Sequence, residues 1–268
     1  MNGGLLFDHT LLWPALAPLA RRRELILYDQ RGRGNSEPPA DQSAARIEHD
    51  AGDIPALRVA LGLRRWDVLG HSWGGGIAML GAERDREGTR RLVLVDPVHA
   101  TSAWMDVVHA AALERLSPAD RAVLARFDRE TLSRPDPAVQ SAYARALYPA
   151  WFAKPSLAKT VSLPRSTSAT GSAVAARLRR EGYDWTPLVR ALDSPTIVIH
   201  GEQDVLPADG ARALTRLVTG SQLAVLPDSG HLPFLESPEL FFKLVEDFLS
   251  PHHEANPALG PSRSDHPS

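Results

Sequence analysis

The sequence predicts an α/β fold, a mostly parallel, doubly wound sheet interrupted by a helical insertion. Three observations lead there. Short runs rich in Leu, Val and Ile alternate with helical patterns. Four of the five runs are apolar on successive positions, as strands covered on both faces are. From Val98 to about Leu192 the strand signal vanishes, and Ala, Arg and Leu recur at helical spacing with interspersed aromatics.

The first run, "ELILYD" (24–29), precedes "DQRGRGNSEPP" (29–39), whose composition predicts turns. A helical pattern over 45–63 leads to the run "WDVLG" (66–70), and a second over 74–85 to "RLVLVDP" (91–97). After the helical block come "TIVIHGE" (196–202), a helix over 208–218, "QLAVLPD" (222–228) and a helix over 237–249. Residues 1–97 and 193–250 are therefore expected to form the two parts of one core. Residues 98–192 are expected to form a helical subdomain, or else further helices packed on the sheet. The Pro-, Ser- and His-rich segment 251–268 is expected to be a disordered tail, in which His252 and His253 are solvated rather than metal ligands.

The chemistry concentrates in "LGHSWGG" (69–75), placed where a strand should end and a helix begin. Gly70 and Gly74 bracket Ser72 as in a nucleophile elbow, G-x-S-x-G, where only small neighbours let strand and helix approach. A serine here could also serve only as a helix cap. Ligands of a doubly wound sheet sit at the carboxyl ends of its strands. Asp204, after "TIVIHGEQ", and His231, in "PDSGHLPF", reach that same edge. Nucleophile, acid and base types thus converge in the chain order Ser, Asp, His. A hydroxyl is a poor nucleophile at neutral pH, so His231 is expected to take the Ser72 proton and Asp204 to orient the imidazole. Asp96, ending "LVLVD", could supply the acid instead. Oxyanion donors are expected from the amide of Trp73 and from Gly4 in "NGG". His71 and His200 are read as packing residues, and Asp228 as a turn former.

Composition narrows the alternatives. The 268 residues contain no cysteine, which excludes disulfides, thiolate metal sites and a cysteine nucleophile. A net charge of −2 gives no footprint for nucleic acid or an anionic membrane surface. The stretch "LLWPALAPLA" is short, carries two prolines and precedes its arginines, so it reads as neither a membrane span nor a signal peptide. A cytoplasmic enzyme acting on a small-molecule ester, amide or peptide is expected, with no cofactor, no metal and no nucleic-acid partner.

The segments "DQRGRGNS", "GHSWGGGIAML", "LVLVDP", "ERLSPADRAVLARFD", "YDWTPLVRALDSPTIVIHGEQD" and "LPDSGHLPFLESPE" resemble the α/β-hydrolase superfamily, and within it the proline iminopeptidase-like serine hydrolases. The resemblance implies an α/β-hydrolase fold whose helical cap, between the sixth and seventh strands, occupies 98–192. It implies hydrolysis of an ester or amide through an acyl-enzyme. Two rivals remain at this point, a true proline iminopeptidase and a non-catalytic ligand-binding protein on the same fold.

Two departures from the family pattern bear on these rivals. Where relatives read "HGGPG", this chain has Asn2-Gly3-Gly4-Leu5-Leu6. The acidic residues with which the aminopeptidases hold a free amino group fall on Ser166 and Val205, so esters or uncharged acyl groups are expected to be preferred. Were an amine bound after all, Glu130 and Glu181 would be the carboxylates to hold it. Finally, "NGG" follows Met1 directly, so the first three strands of the family fold lack counterparts. The expectation is a fragment, or a late start, of a longer hydrolase, with strand edges left unpaired around the gap.

Overall fold

The computed structural model describes residues 1–161, 163 and 168–250. Ser166 and the segment 251–268 with His252 and His253 lie outside the described residues. Four strands, β1 (Trp66–His71), β2 (Thr89–Val95), β3 (Thr196–Gly201) and β4 (Gln222–Leu226), form one sheet in the order β1-β2-β3-β4. Every neighbouring pair is parallel, with His71 opposite Val95, Val95 opposite Ile199 and Gly201 opposite Leu226. All four strands therefore end at one edge.

The central strands are buried along almost their whole length: in β2 only Arg90 is exposed, and β3 is buried throughout. That is why their sequences are apolar on successive positions rather than alternating. Helix α1 (Ile47–Ala60) packs on α2 (Trp73–Arg84) with no room between them, since a methyl built on Gly81 would lie 2.1 Å from Ile54 Cδ1. After β3, α9 (Ala208–Leu217) returns to β4, and α10 (Pro233–Glu236) and α11 (Pro238–Leu249) close the described chain. Phe241, Val245 and Phe248 of α11 are buried at helical spacing.

Between β2 and β3 lie α3 (Trp104–Arg115), α4 (Pro118–Leu124), α5 (Arg129–Leu132), α6 (Pro137–Leu147), α7 (Ala169–Glu181) and α8 (Thr186–Arg190). Ser117, Asp128, Asp136 and Ser168 cap α4, α5, α6 and α7, accepting from backbone N–H groups of the first turn. The block leaves and re-enters the core at one place: Trp185 N–H donates to Ala100 O (2.7 Å) and Ser102 N–H to Tyr183 O (3.0 Å). An isolated bridge joins Thr101 and Asp184.

One expected strand does not form. "ELILYD" (24–29) carries no strand pairing. It is separated from β1 by a cavity of about 300 Å³ lined by Leu25–Tyr28 on one side and Trp66–Leu69 on the other. Met1 meets the end of the free β1 edge, its amine donating to Leu69 O and its carbonyl accepting from His71 N–H, at 2.5 and 3.0 Å. Among the described residues no helix is long and apolar enough to cross a membrane.

Candidate active site

At the end of β1 the chain turns sharply. Ser72 takes φ 55° and ψ −121°, a left-handed conformation costly for a residue with a Cβ. Its N–H donates to Val95 O (2.9 Å), and its own carbonyl accepts from Gly75 N–H (2.9 Å), so both neighbouring elements hold the turn. The bracketing glycines are required by close approach: a methyl on Gly70 would lie 2.3 Å from Gly74 O, and one on Gly74 2.4 Å from Met1 O. The Ser72 side chain faces a cavity of about 90 Å³ whose lining includes His231, Trp73 and Gly4.

Asp204 follows β3 in a turn closed by its N–H on Gly201 O (3.1 Å), and its Oδ1 accepts from Leu206 N–H (3.0 Å). His231 Nδ1 lies 2.8 Å from Asp204 Oδ2, with both side chains at most 2% exposed. The carboxylate can only accept, so Nδ1 carries the proton and Nε2 is left as the basic nitrogen. Burial alone would raise the Asp204 pKa, but His231 and the other partners hold it below the usual carboxylate range.

The loop bearing His231 is pinned from several sides. His231 N–H donates to Trp151 O (2.6 Å), and His231 O accepts from His71 Nε2 (2.8 Å). Burial presses the His71 pKa down to about 3, so its ring is neutral and serves as a strut. Glu236 accepts from Gly230 N–H (3.0 Å) and Ala153 N–H (2.8 Å), fastening this loop to the segment after the Tyr148–Trp151 turn.

Asp96, the rival acid, lies beside Asp204, and it is Asp204 that contacts His231. Asp96 is fully buried with φ 41°, and its Oδ1 accepts from Gly201 N–H (2.8 Å). Its closest acidic neighbour is Asp204, with which it shares a side-chain contact. Burial, and then the Asp204 charge, push its pKa well above the ordinary value. Asp96, His200 and Asp204 bring ligand atoms within 4.8 Å of one another, as do Asp8, His9 and Asp29. In each group carboxylate oxygens are already engaged, by Gly201 and His231 in the first and by His9 and Asn35 in the second.

The turn carrying Gly3 and Gly4 presses on Ser72: a methyl on Gly3 would lie 2.5 Å from Ser72 Cβ. Gly4 takes φ 75° and borders the cavity. Trp73 opens α2, so its N–H is one of the first-turn donors without an intrahelical acceptor. Asn2 Nδ2 donates to Phe7 O (2.8 Å) and Gln30 Nε2 to Asn2 O (3.2 Å), which bridges the turn from both ends. Arg33, 1% exposed, donates through Nε to Leu5 O (2.7 Å) and pairs doubly with buried Asp50 (2.9 Å each). Sequence reasoning assigned this stretch to turns and missed the brace, whose only signal was an Arg amid glycines with an Asp on the following helix.

Val205 lines the cavity and is buried. Glu130 and Glu181 do not line it: their side chains are 80% and 48% exposed, on Arg134 and Arg180 respectively.

With this geometry in view, likeness to known proteins becomes informative. The family model described as alpha/beta hydrolase fold matches residues 2–238. The chain is 31% identical over 243 residues to a 2-hydroxymuconate semialdehyde hydrolase of Pseudomonas putida, covering 86% of this chain and 78% of that protein. It is 24% identical over 250 residues to a proline iminopeptidase of Heyndrickxia coagulans, covering 88% and 84%. Among solved structures, a malate-bound thermophilic esterase from Thermogutta terrifontis superposes with a TM-score of 0.69 at 26% identity, over 92% of this chain and 87% of that one. The parallel sheet, the elbow at Ser72 and the match over residues 2–238 agree, and the chain belongs to the alpha/beta hydrolase fold family of enzymes.

Proposed function

We propose that the protein is a serine hydrolase that cleaves an ester or amide through an acyl-enzyme on Ser72. The observation that carries this reading is the 2.8 Å contact between His231 Nδ1 and Asp204 Oδ2, which leaves Nε2 basic at the cavity that Ser72 also lines. His231 Nε2 accepts the Ser72 proton as Oγ attacks the carbonyl carbon, and Asp204 stabilises the imidazolium that results. The N–H groups of Trp73 and Gly4 are suited to hold the developing oxyanion, each such donor contributing ~3 kcal/mol. His231 then protonates the leaving group, and water attacks the acyl-enzyme by the same route in reverse.

The cavity walls favour esters over peptides with a free amino terminus. Among the described residues, the lining apart from His231 is apolar or neutral save for one arginine, and it includes no carboxylate that could pair an ammonium. The test is turnover of nitrophenyl esters beside prolyl and alanyl amides, with 2-hydroxymuconate semialdehyde included because relatives carry that name. Faster hydrolysis of prolyl amides than of nitrophenyl butyrate would refute the ester preference. Absence of turnover, together with no covalent labelling of Ser72, would favour a ligand-binding protein.

A further inference from the structure

The arginine on the cavity wall is Arg179 of α7. Among the described lining residues it alone carries a fixed charge, the rest being apolar or neutral apart from His231. Its guanidinium carbon lies 5.0 Å from the ring centroid of Tyr143, which is itself buried and lines the same cavity. The neighbouring arginines of α7 and those in and just after α5 are paired: Arg129 with Asp106, Arg134 with Glu130, and both Arg177 and Arg180 with Glu181. Arg179 has no carboxylate partner among the described residues.

A second cavity of about 520 Å³ adjoins the first, and Met105 and Arg179 line both. The acids that border this outer space are engaged, Asp106 with Arg129, Asp128 with Thr131 N–H and Asp184 with Thr186 N–H. They line the outer cavity and not the inner one. His109, stacked on Tyr143 at 6.0 Å, has its pKa lowered by burial and by the Arg179 charge, so Arg179 stands as the local cation. A guanidinium partly removed from water, with an aromatic face but no anion, is an incomplete site: the planar fork matches a carboxylate that the protein itself does not provide.

We propose that Arg179 anchors the far end of the substrate, and that the enzyme acts on esters whose acid or alcohol portion carries a carboxylate a short chain away from the scissile bond. This deepens the proposed function and rests on it. The reacting carbonyl sits over Ser72, the chain crosses the apolar cavity past Val108 and Leu147, and the carboxylate meets the guanidinium beside Tyr143.

Two matched substrate pairs test this. Mono-ethyl adipate against ethyl hexanoate places the carboxylate on the acid side, and 5-acetoxypentanoate against pentyl acetate places it on the alcohol side. The expected result is a kcat/KM about ten- to a hundredfold higher for the anionic member of at least one pair, the scale of a charge-assisted contact. In Arg179→Met that ratio collapses towards one, mainly through KM, while Arg179→Lys retains part of it. Arg180→Met, which removes the neighbouring exposed charge, leaves the ratio unchanged. The wild-type ratio and the Lys variant keep the test decisive should the Met variant fold poorly. Hydrolysis of neutral esters without preference for either anionic partner, or a ratio that Arg179→Met does not alter, overturns the anchor and leaves the hydrolase reading intact. Turnover of no ester overturns the anchor, and turnover of no ester or amide, with no covalent labelling of Ser72, overturns the hydrolase reading as well.

Discussion

Two buried aspartates stand at neighbouring strand ends, and replacing each by asparagine separates their roles. In Asp204→Asn the acceptor 2.8 Å from His231 Nδ1 becomes an amide, which neither fixes the tautomer nor stabilises the imidazolium. The expected loss is on the order of ten-thousandfold in kcat, or about 5.5 kcal/mol of barrier at 1.36 kcal/mol per decade. Asp96→Asn is expected to behave differently. Burial and the nearby Asp204 charge favour the protonated form of Asp96, whose Oδ1 only accepts from Gly201 N–H (2.8 Å). An amide is close in shape and charge to that neutral acid, so the expected loss is under about tenfold, a contact away from the reacting atoms being worth ~1 kcal/mol. The assay is kcat and KM for nitrophenyl butyrate in both variants, with thermal melts to confirm folding. A larger loss in Asp96→Asn than in Asp204→Asn would refute the assignment of the acid.

Two further outcomes follow from the buried charges. Arg33→Met strands the Asp50 carboxylate and frees the Leu5 carbonyl, at a cost of about 3–5 kcal/mol, which lowers the melting temperature by roughly 6–20 °C. Asp50→Leu added to it is expected to restore much of the loss, and a single variant that melts within about 3 °C of wild type would sink the brace. The His71 pKa, pressed down to about 3 by burial, predicts acid lability. The unfolded chain takes up this proton near its ordinary pKa of about 6.5 and the folded chain does not, so stability is full above that pH and falls as pH drops towards 3. Urea melts at pH 6.5 and 4.5 are expected to differ by up to ~2.7 kcal/mol from this group. His99, lowered to about 4 chiefly by burial, acts in the same direction. His71→Gln is expected to flatten the slope, and an unchanged slope would contradict the burial account.

The two central strands were legible because burial on both faces writes itself into consecutive apolar residues, as in Leu92–Val95 and Ile197–Ile199. "ELILYD" has the same composition and forms no ladder, because pairing depends on which edge lies beside it and a cavity separates it from β1. At the candidate site, Ser72 announced itself through the glycines that close approach demands. Asp204 was preferred to Asp96 on chain order although both follow strands, and the 2.8 Å contact between Asp204 and His231 supports that preference. Arg33, Glu236 and Arg179 were illegible for a common reason. Charged residues in turns and helices are ordinarily solvated, and only the folded chain shows which of them are turned inward.

Covalent labelling of Ser72 tests the central claim most directly. The protein is treated with a fluorophosphonate, followed by intact mass and peptide mapping, with Ser72→Ala in parallel. Stoichiometric modification confined to the peptide containing Ser72, blocked in Ser72→Ala along with about a millionfold of the turnover rate, is the predicted result. Absence of labelling in folded wild-type protein, or a Ser72→Ala variant that keeps a tenth of wild-type activity, would contradict it.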